Sequence, residues 1–284
     1  MIAREQYGAT LPGGARLRRC RHGLMLYNPR DLHVGRSLDL YGEWAESELE
    51  LLGLFLREGD VAIDVGANLG THAVFFAGKV GPRGKVFAFE PQPIIFQGLC
   101  ENLALNGFAN AQALPVAAGR APGRLALPDV DYTAAGNFGG VSLGARAEGS
   151  TAATVEVMTL DSLGLDRCQL IKIDVEGMEL DVLDGANALV AAARPLIYLE
   201  NNDTTKSPAL ISWMLARGYH LFWHLSRFFN PRNFFQNPDN VFGEIGDLNM
   251  IAVRPELAPA FRSFHPVTGP DDNWEALQRR LPGR

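Results

Sequence analysis

At 284 residues, with 47% hydrophobic and 20% charged side chains, the chain has globular composition and material for one α/β domain with extensions. A formal net charge of −6 offers no basic field for nucleic acid, and no apolar run reaches the roughly 18–20 residues that span a bilayer. Cys20, Cys100 and Cys168 lie far apart with no Cys-x-x-Cys, so they form neither a disulfide framework nor a zinc site. With no apolar leader at the start, a cytoplasmic protein is expected.

Residues 1–44 read as an N-terminal extension. The Gly- and Pro-spotted stretch 1–15 is expected to fray, and 15–27 alternates loosely about a His22-Gly23 turn, as a hairpin does. Arg16, Arg18, Arg19 and Arg21 cluster there, either as a solvated face or as a contact for an anionic substrate. Ser47-Glu48-Leu49-Glu50 has the spacing of a capping box, and the helix behind it carries Leu49, Leu52 and Leu56 before stopping at Gly59. The turn before that helix is expected near a site mouth, which makes Tyr41 and Glu43 ligand candidates, with core packing the alternative for the tyrosine.

From residue 61 onward, strand and helix alternate. Strands are expected at 61–65, 85–90, 111–117, 170–174, 196–199 and 219–223, with helices between most of them. Such alternation implies a parallel sheet with helices on both faces. The run 248–253 follows 219–223 with no helix between, so it should return antiparallel beside it. An insertion at about 119–154, rich in Gly, Ala and Ser, breaks the rhythm and reads as a small β insertion or a flap. The domain proper is placed at 45–255, with a tail at 256–284.

Chemistry gathers at the strand ends. The run Asp64-Val65-Gly66-Ala67-Asn68-Leu69-Gly70-Thr71 closes a strand, turns on glycines and opens a helix, which exposes backbone N–H groups to a ligand. It lacks the Gly-x-Gly-x-x-Gly of a pyrophosphate loop and suits a nucleoside with a cationic amino-acid tail. Glu90, about one βαβ step later and followed by Pro91, sits where an acid can hold a ribose diol. Asp174 and Glu200 end two further strands, giving four acids on one rim. Asp174, Glu200 and Asn201 together form an all-oxygen set suited to Mg²⁺ or another divalent cation. The alternative is that Asp174 acts as a base or hydrogen-bond acceptor while Glu200 caps a turn. His224 follows a strand and is a candidate general base. The aromatic and Asn-rich stretch 225–247 suits either sugar stacking or its own packing core.

The glycine loop resembles motif I of the class I S-adenosylmethionine (SAM) methyltransferases. The wider pattern resembles the FkbM methyltransferase family. It is carried by Ile63 to Gly70, Phe89-Glu90-Pro91, Thr159-Leu160-Asp161 and Ile171-Lys172-Ile173-Asp174-Val175-Glu176-Gly177-Met178-Glu179, where family members often have His in place of Met178. The resemblance implies a Rossmann-like, mostly parallel seven-stranded sheet with one antiparallel strand, SAM as donor and a hydroxyl acceptor on a sugar or natural product. On this reading Tyr41, Glu43, Asp64, Gly66, Ala67, Asn68, Gly70, Thr71, Glu90 and Pro91 bind the donor, and Asp174, Glu176 and His224 serve catalysis. The partner is a small-molecule or glycan acceptor. The rivals are an NAD(P)-binding oxidoreductase on a similar fold and a SAM-binding protein without turnover.

Overall fold

The computed structural model describes residues 8–144 and 153–280. Parts of three expected segments therefore lie outside the described residues: 1–7 of the frayed start, 145–152 of the insertion and 281–284 of the tail.

The chain opens with a small antiparallel sheet, β1 (Gly8–Thr10), β2 (Arg16–Cys20) and β3 (Gly23–Tyr27). The expected hairpin is thus present with a third strand added. Its basic cluster is largely matched by acids: Arg16 and Arg18 pair with Asp39, and Arg21 with Glu43. Two short helices follow, α1 (Val34–Tyr41) and α2 (Glu46–Gly53). No capping box forms at α2. Ser47 lies inside the helix and its hydroxyl shares a 2.9 Å hydrogen bond with that of Ser226, while Ala45 in the left-handed region takes the cap position.

The remaining elements alternate: β4 (Val61–Val65), α3 (Thr71–Val80), β5 (Lys85–Phe89), α4 (Pro93–Leu105) and β6 (Ala111–Leu114). A side sheet of β7 (Ala117–Ala118), β8 (Gly123–Ala126) and β9 (Thr154–Met158) interrupts the series. It resumes with β10 (Leu170–Ile173), α5 (Glu179–Asp184), α6 (Asn187–Ala193), β11 (Leu196–Glu200), α7 (Ser207–Leu215), β12 (His220–Arg227) and β13 (Gly246–Val253). Near the C-terminus come β14 (His265–Pro266) and α8 (Trp274–Arg280).

The main sheet runs β6-β5-β4-β10-β11-β13-β12-β14. The first five strands pair in parallel, and β13 is antiparallel to both β11 and β12. This is the expected Rossmann-like architecture, with the two-residue β14 from the tail added on the edge of β12. Alternate side chains along each strand feed opposite faces, as the two-residue repeat requires. Ile63, Ile171 and Ile197 pack under α5, α6 and α7, whereas Ala62, Val86 and Leu170 pack under α2, α3 and α4. Strand order reverses beside β4, and in open parallel sheets a ligand crevice forms at that switch, at the carboxyl ends of the strands. Among the described residues, no helix is long and apolar enough to cross a membrane.

Candidate active site

The glycine loop leaves β4 at the switch point and bends under tight restraint. Gly66 has φ +77°, and a Cβ there would lie 1.7 Å from the backbone oxygen of Asp174. Only glycine fits, so the loop passes directly against the end of β10. Asn68 also has positive φ, and its Oδ1 accepts a 2.7 Å bond from the Leu69 N–H. Glu90 ties the tip of β5 to this loop by accepting from the N–H groups of Asn68 (3.0 Å) and Gln92 (2.8 Å). Burial pushes the Glu90 carboxyl up to about 7, those two hydrogen bonds oppose the shift, and the charges of Asp64 and Asp174 add to it.

Beneath the loop lies a buried ionic group. Asp64, expected among the four acids of the rim, is instead wholly buried beneath it and does not line the cleft, and neither of its carboxylate oxygens has a hydrogen-bond partner. Lys172, also buried, places Nζ 3.6 Å from Asp64 Oδ1 and 3.2 Å from Asp174 Oδ2. Burial alone would push the lysine down, but Asp174, Asp64 and Glu48 outweigh it and hold the ammonium above its usual range.

Above this floor opens a cleft of about 300 Å³. It is lined by Gly66, Ala67, Asn68, Thr71 and Glu90 of the first two strand exits and by Asp174, Glu176, Glu200 and Asp247. Val34, Trp44, Phe228 and Ile245 give it an apolar wall, and Asn137, Gly139 and Gly140 reach it from the segment after β8. A narrower recess of about 50 Å³ adjoins it, sharing Gly66, Glu90 and Asp174 and lined by Pro91, Val116, Val141 and Met178. Glu176 sits at φ +53° in the turn after β10, where the Ser142 hydroxyl donates to its carbonyl at 3.0 Å. Left-handed backbone at a non-glycine residue is costly and tends to cluster at functional positions.

Crowded, desolvated carboxylates resist ionisation. Burial pushes Glu176 up to about 7, Asp247 to about 8 and Glu200 to about 9, and neighbouring acids, Asp174 among them, add to each. Asp174, Glu176 and Glu200 can each bring one oxygen within 4.8 Å of the others, a hard donor set for a divalent cation.

Several expected site residues stand elsewhere. Tyr41 is 1% exposed, its hydroxyl donating to the Asp239 carbonyl at 2.7 Å and accepting from the Val241 N–H at 3.0 Å. Glu43 is spent on Arg21, Asn230 and the Phe234 N–H, each at 2.7 Å. Both therefore pin the loop before β13 rather than face the cleft, and Trp44 is the residue of that turn that does. His224 is not at a strand end, because β12 continues to Arg227. Its Nδ1 meets the Tyr198 hydroxyl at 2.8 Å and its ring packs edge-on against Phe264. Asn201 points away from the rim, as strand alternation dictates: it is 3% exposed with Nδ2 near the Met250 sulfur, while Asn202 lines the cleft and donates to Glu200 at 2.6 Å. Gly70, at φ +92°, caps α3 against Leu99 and shapes the loop without lining the cleft. In the loop 228–245, Phe228 and Phe242 pack with Tyr41, and only Phe228 of the loop aromatics is among the cleft-lining residues. Asp161 caps α6 by accepting from the Ala188 and Leu189 N–H groups.

Residues 64–221 match the methyltransferase FkbM domain, and that stretch spans every strand tip described above from β4 to β11. The chain belongs to the FkbM methyltransferase family. Two curated relatives of this FkbM chain are methyltransferases by name. It is 33% identical to the hexuronic acid methyltransferase AglP of Haloferax volcanii, the match covering 55% of this chain and 62% of that protein. It is 30% identical to methyltransferase sdnD of Sordaria araneosa, over 44% of this chain and 60% of that one. The chain thus spans less than two thirds of the length of either relative. A solved FkbM methyltransferase from Methylobacillus flagellatus KT aligns with a TM-score of 0.46 at 18% identity, over 72% of this chain and 50% of that one.

Proposed function

We propose that the chain is a SAM-dependent O-methyltransferase whose acceptor hydroxyl belongs to a sugar, in a glycoconjugate or a secondary metabolite. The observation that carries the reading is Glu90, poised between a glycine loop with no room for a side chain at Gly66 and an apolar recess beside Pro91. An acid, a bare backbone turn and a largely apolar recess suit a ribose diol, an amino-acid tail and a purine in that order. The loop also lacks the Gly-x-Gly-x-x-Gly spacing of a pyrophosphate cradle, which weighs against a dinucleotide.

When bound, SAM supplies a methyl group on a sulfonium whose positive charge is lost on transfer. The chain's own residues do the rest. Glu90 holds the ribose, and Pro91, Val116 and Met178 flank the base. Gly66, Ala67, Asn68 and Thr71 shape the tail end, and Asp64 supports the loop from beneath. Asp174 and Glu176 accept hydrogen bonds from the sugar's neighbouring hydroxyls at the rim, and the wall of Trp44, Phe228 and Ile245 covers a sugar's C–H face and limits water. Asp174, Glu176 and Glu200 would hold a Mg²⁺ ion if one takes part, and it would orient the acceptor hydroxyl. The relative AglP is by name a hexuronic acid methyltransferase, which favours a sugar as the acceptor.

Methyl-labelled SAM incubated with methyl glucoside and with methyl glucuronoside tests this. Labelled glycoside formed together with S-adenosylhomocysteine supports the reading. No binding of S-adenosylhomocysteine by the wild-type chain overturns it.

A further inference from the structure

α2 and α3 meet at a buried polar seam that reaches the cleft wall at His72. Glu48 in α2 is 3% exposed, and both its carboxylate oxygens are engaged. Oε2 meets His72 Nε2 at 3.1 Å, and Oε1 accepts from Asn249 Nδ2, on β13, at 3.1 Å. Burial pushes Glu48 up, but the His72 hydrogen bond and the charges of His72, Lys172 and His224 outweigh it, so the carboxyl lies below its usual range. A carboxylate oxygen only accepts, so His72 Nε2 carries a proton, and in the neutral form of the ring it is Nδ1 that keeps a lone pair. The ring is held further by an edge contact with Phe76 at 5.9 Å. His72 is 4% exposed, lines the cleft beside Thr71, Lys172 and Asp174, and has no hydrogen-bond partner at Nδ1 among the described residues.

Two other groups are already bonded, His224 to Tyr198 and Asp174 Oδ2 to Lys172. We propose that His72, oriented by Glu48, takes the proton of the acceptor hydroxyl; this rests on the methyl-transfer reading above. The O–H bond breaks as the O–C bond forms, and the proton passes to Nδ1. The C–S electron pair stays on the leaving sulfur, and the imidazolium then returns its proton to water. The titratable and charged groups that share the cleft or its floor with His72 are Glu48 from α2, His33 before α1, Asp64 from β4, Glu90 beyond β5, Lys172 from β10, Asp174 and Glu176 from the turn after it, Glu200 from β11 and Asp247 from β13. Glu48 is the one bonded to the ring.

Two measurements on the full chain decide it. Long-range ¹H–¹⁵N spectra of histidine-labelled protein, assigned by difference from His72→Gln, should show the Nε2-protonated tautomer of His72. The Nδ1-protonated tautomer overturns the proposal whether or not an acceptor is known. In methyl transfer from SAM to methyl glucoside or methyl glucuronoside, His72→Gln should lose about 100-fold in kcat. Its affinity for S-adenosylhomocysteine should stay within about threefold of wild type. Glu48→Gln should move the acidic limb of the rate profile to lower pH, and Glu48→Asp should restore part of the rate. Wild-type kcat in His72→Gln overturns the proposal. Failure of wild-type chain to bind S-adenosylhomocysteine instead removes the donor reading, leaving the tautomer as the test of the dyad's geometry.

Discussion

Replacing Lys172 with methionine probes the charge balance beneath the glycine loop. Nζ lies 3.2 Å from Asp174 and 3.6 Å from Asp64, and Asp64 is wholly buried with no hydrogen bond to either oxygen. Asp174 is partly exposed and can turn to water, whereas Asp64 cannot. Methionine therefore leaves a carboxylate stranded in low dielectric, and breaking a buried pair from one side costs about 3–5 kcal/mol. At about 2 °C per kcal/mol for a domain of this size, Tm should fall by roughly 6–10 °C. Adding Asp64→Asn removes the stranded charge, so the double variant should recover at least about 1 kcal/mol relative to the sum of the singles. Urea and thermal unfolding of the four chains at neutral pH give the cycle. A Lys172→Met shift below about 2 °C, or strict additivity, would refute the idea that Lys172 neutralises Asp64.

Gly66→Ala must push its Cβ away from the Asp174 carbonyl and hold a positive φ. It should cost more than about 2 kcal/mol and abolish S-adenosylhomocysteine binding, and near-normal calorimetric affinity would contradict the close approach. Stability should also depend on pH through the rim acids. Glu176, Asp247 and Glu200 have folded values raised to about 7, about 8 and about 9. Because these lie above the ordinary carboxylate range, the stability they contribute is complete at acid pH and is lost as pH rises through those values. Melting curves from about pH 5.5 to about pH 9.5 should show Tm falling, with Glu200→Gln flattening the fall; a Tm rising across that window would contradict the crowding.

The sheet and the meeting of the glycine loop with Glu90 were legible because their chemistry is local. A strand, a glycine turn and an acid at the next strand tip occupy one short βαβ step, and the Lys172–Glu179 run sits on one strand and its exit turn. The failures are long-range. Nothing near Tyr41 or Glu43 announces partners at 230–241, and the end of β12 is fixed by its ladder with β13 rather than by residues 219–223. His72 lay inside the readable motif, yet its role depends on Glu48, 24 positions earlier, and Asn249, far downstream. Asn201 is different, since two-residue alternation from Glu200 already turns it inward. The cleft contacts Asn137 and Gly139 come from a stretch with no motif to find.

Calorimetric titration of S-adenosylhomocysteine into wild-type chain and Glu90→Ala bears most directly on the donor site. The wild type should bind, and loss of charge-assisted bonds to the ribose should weaken the variant by about 10–100-fold. Equal affinity in the two chains would contradict the assignment of Glu90, and silence in both would contradict the site itself.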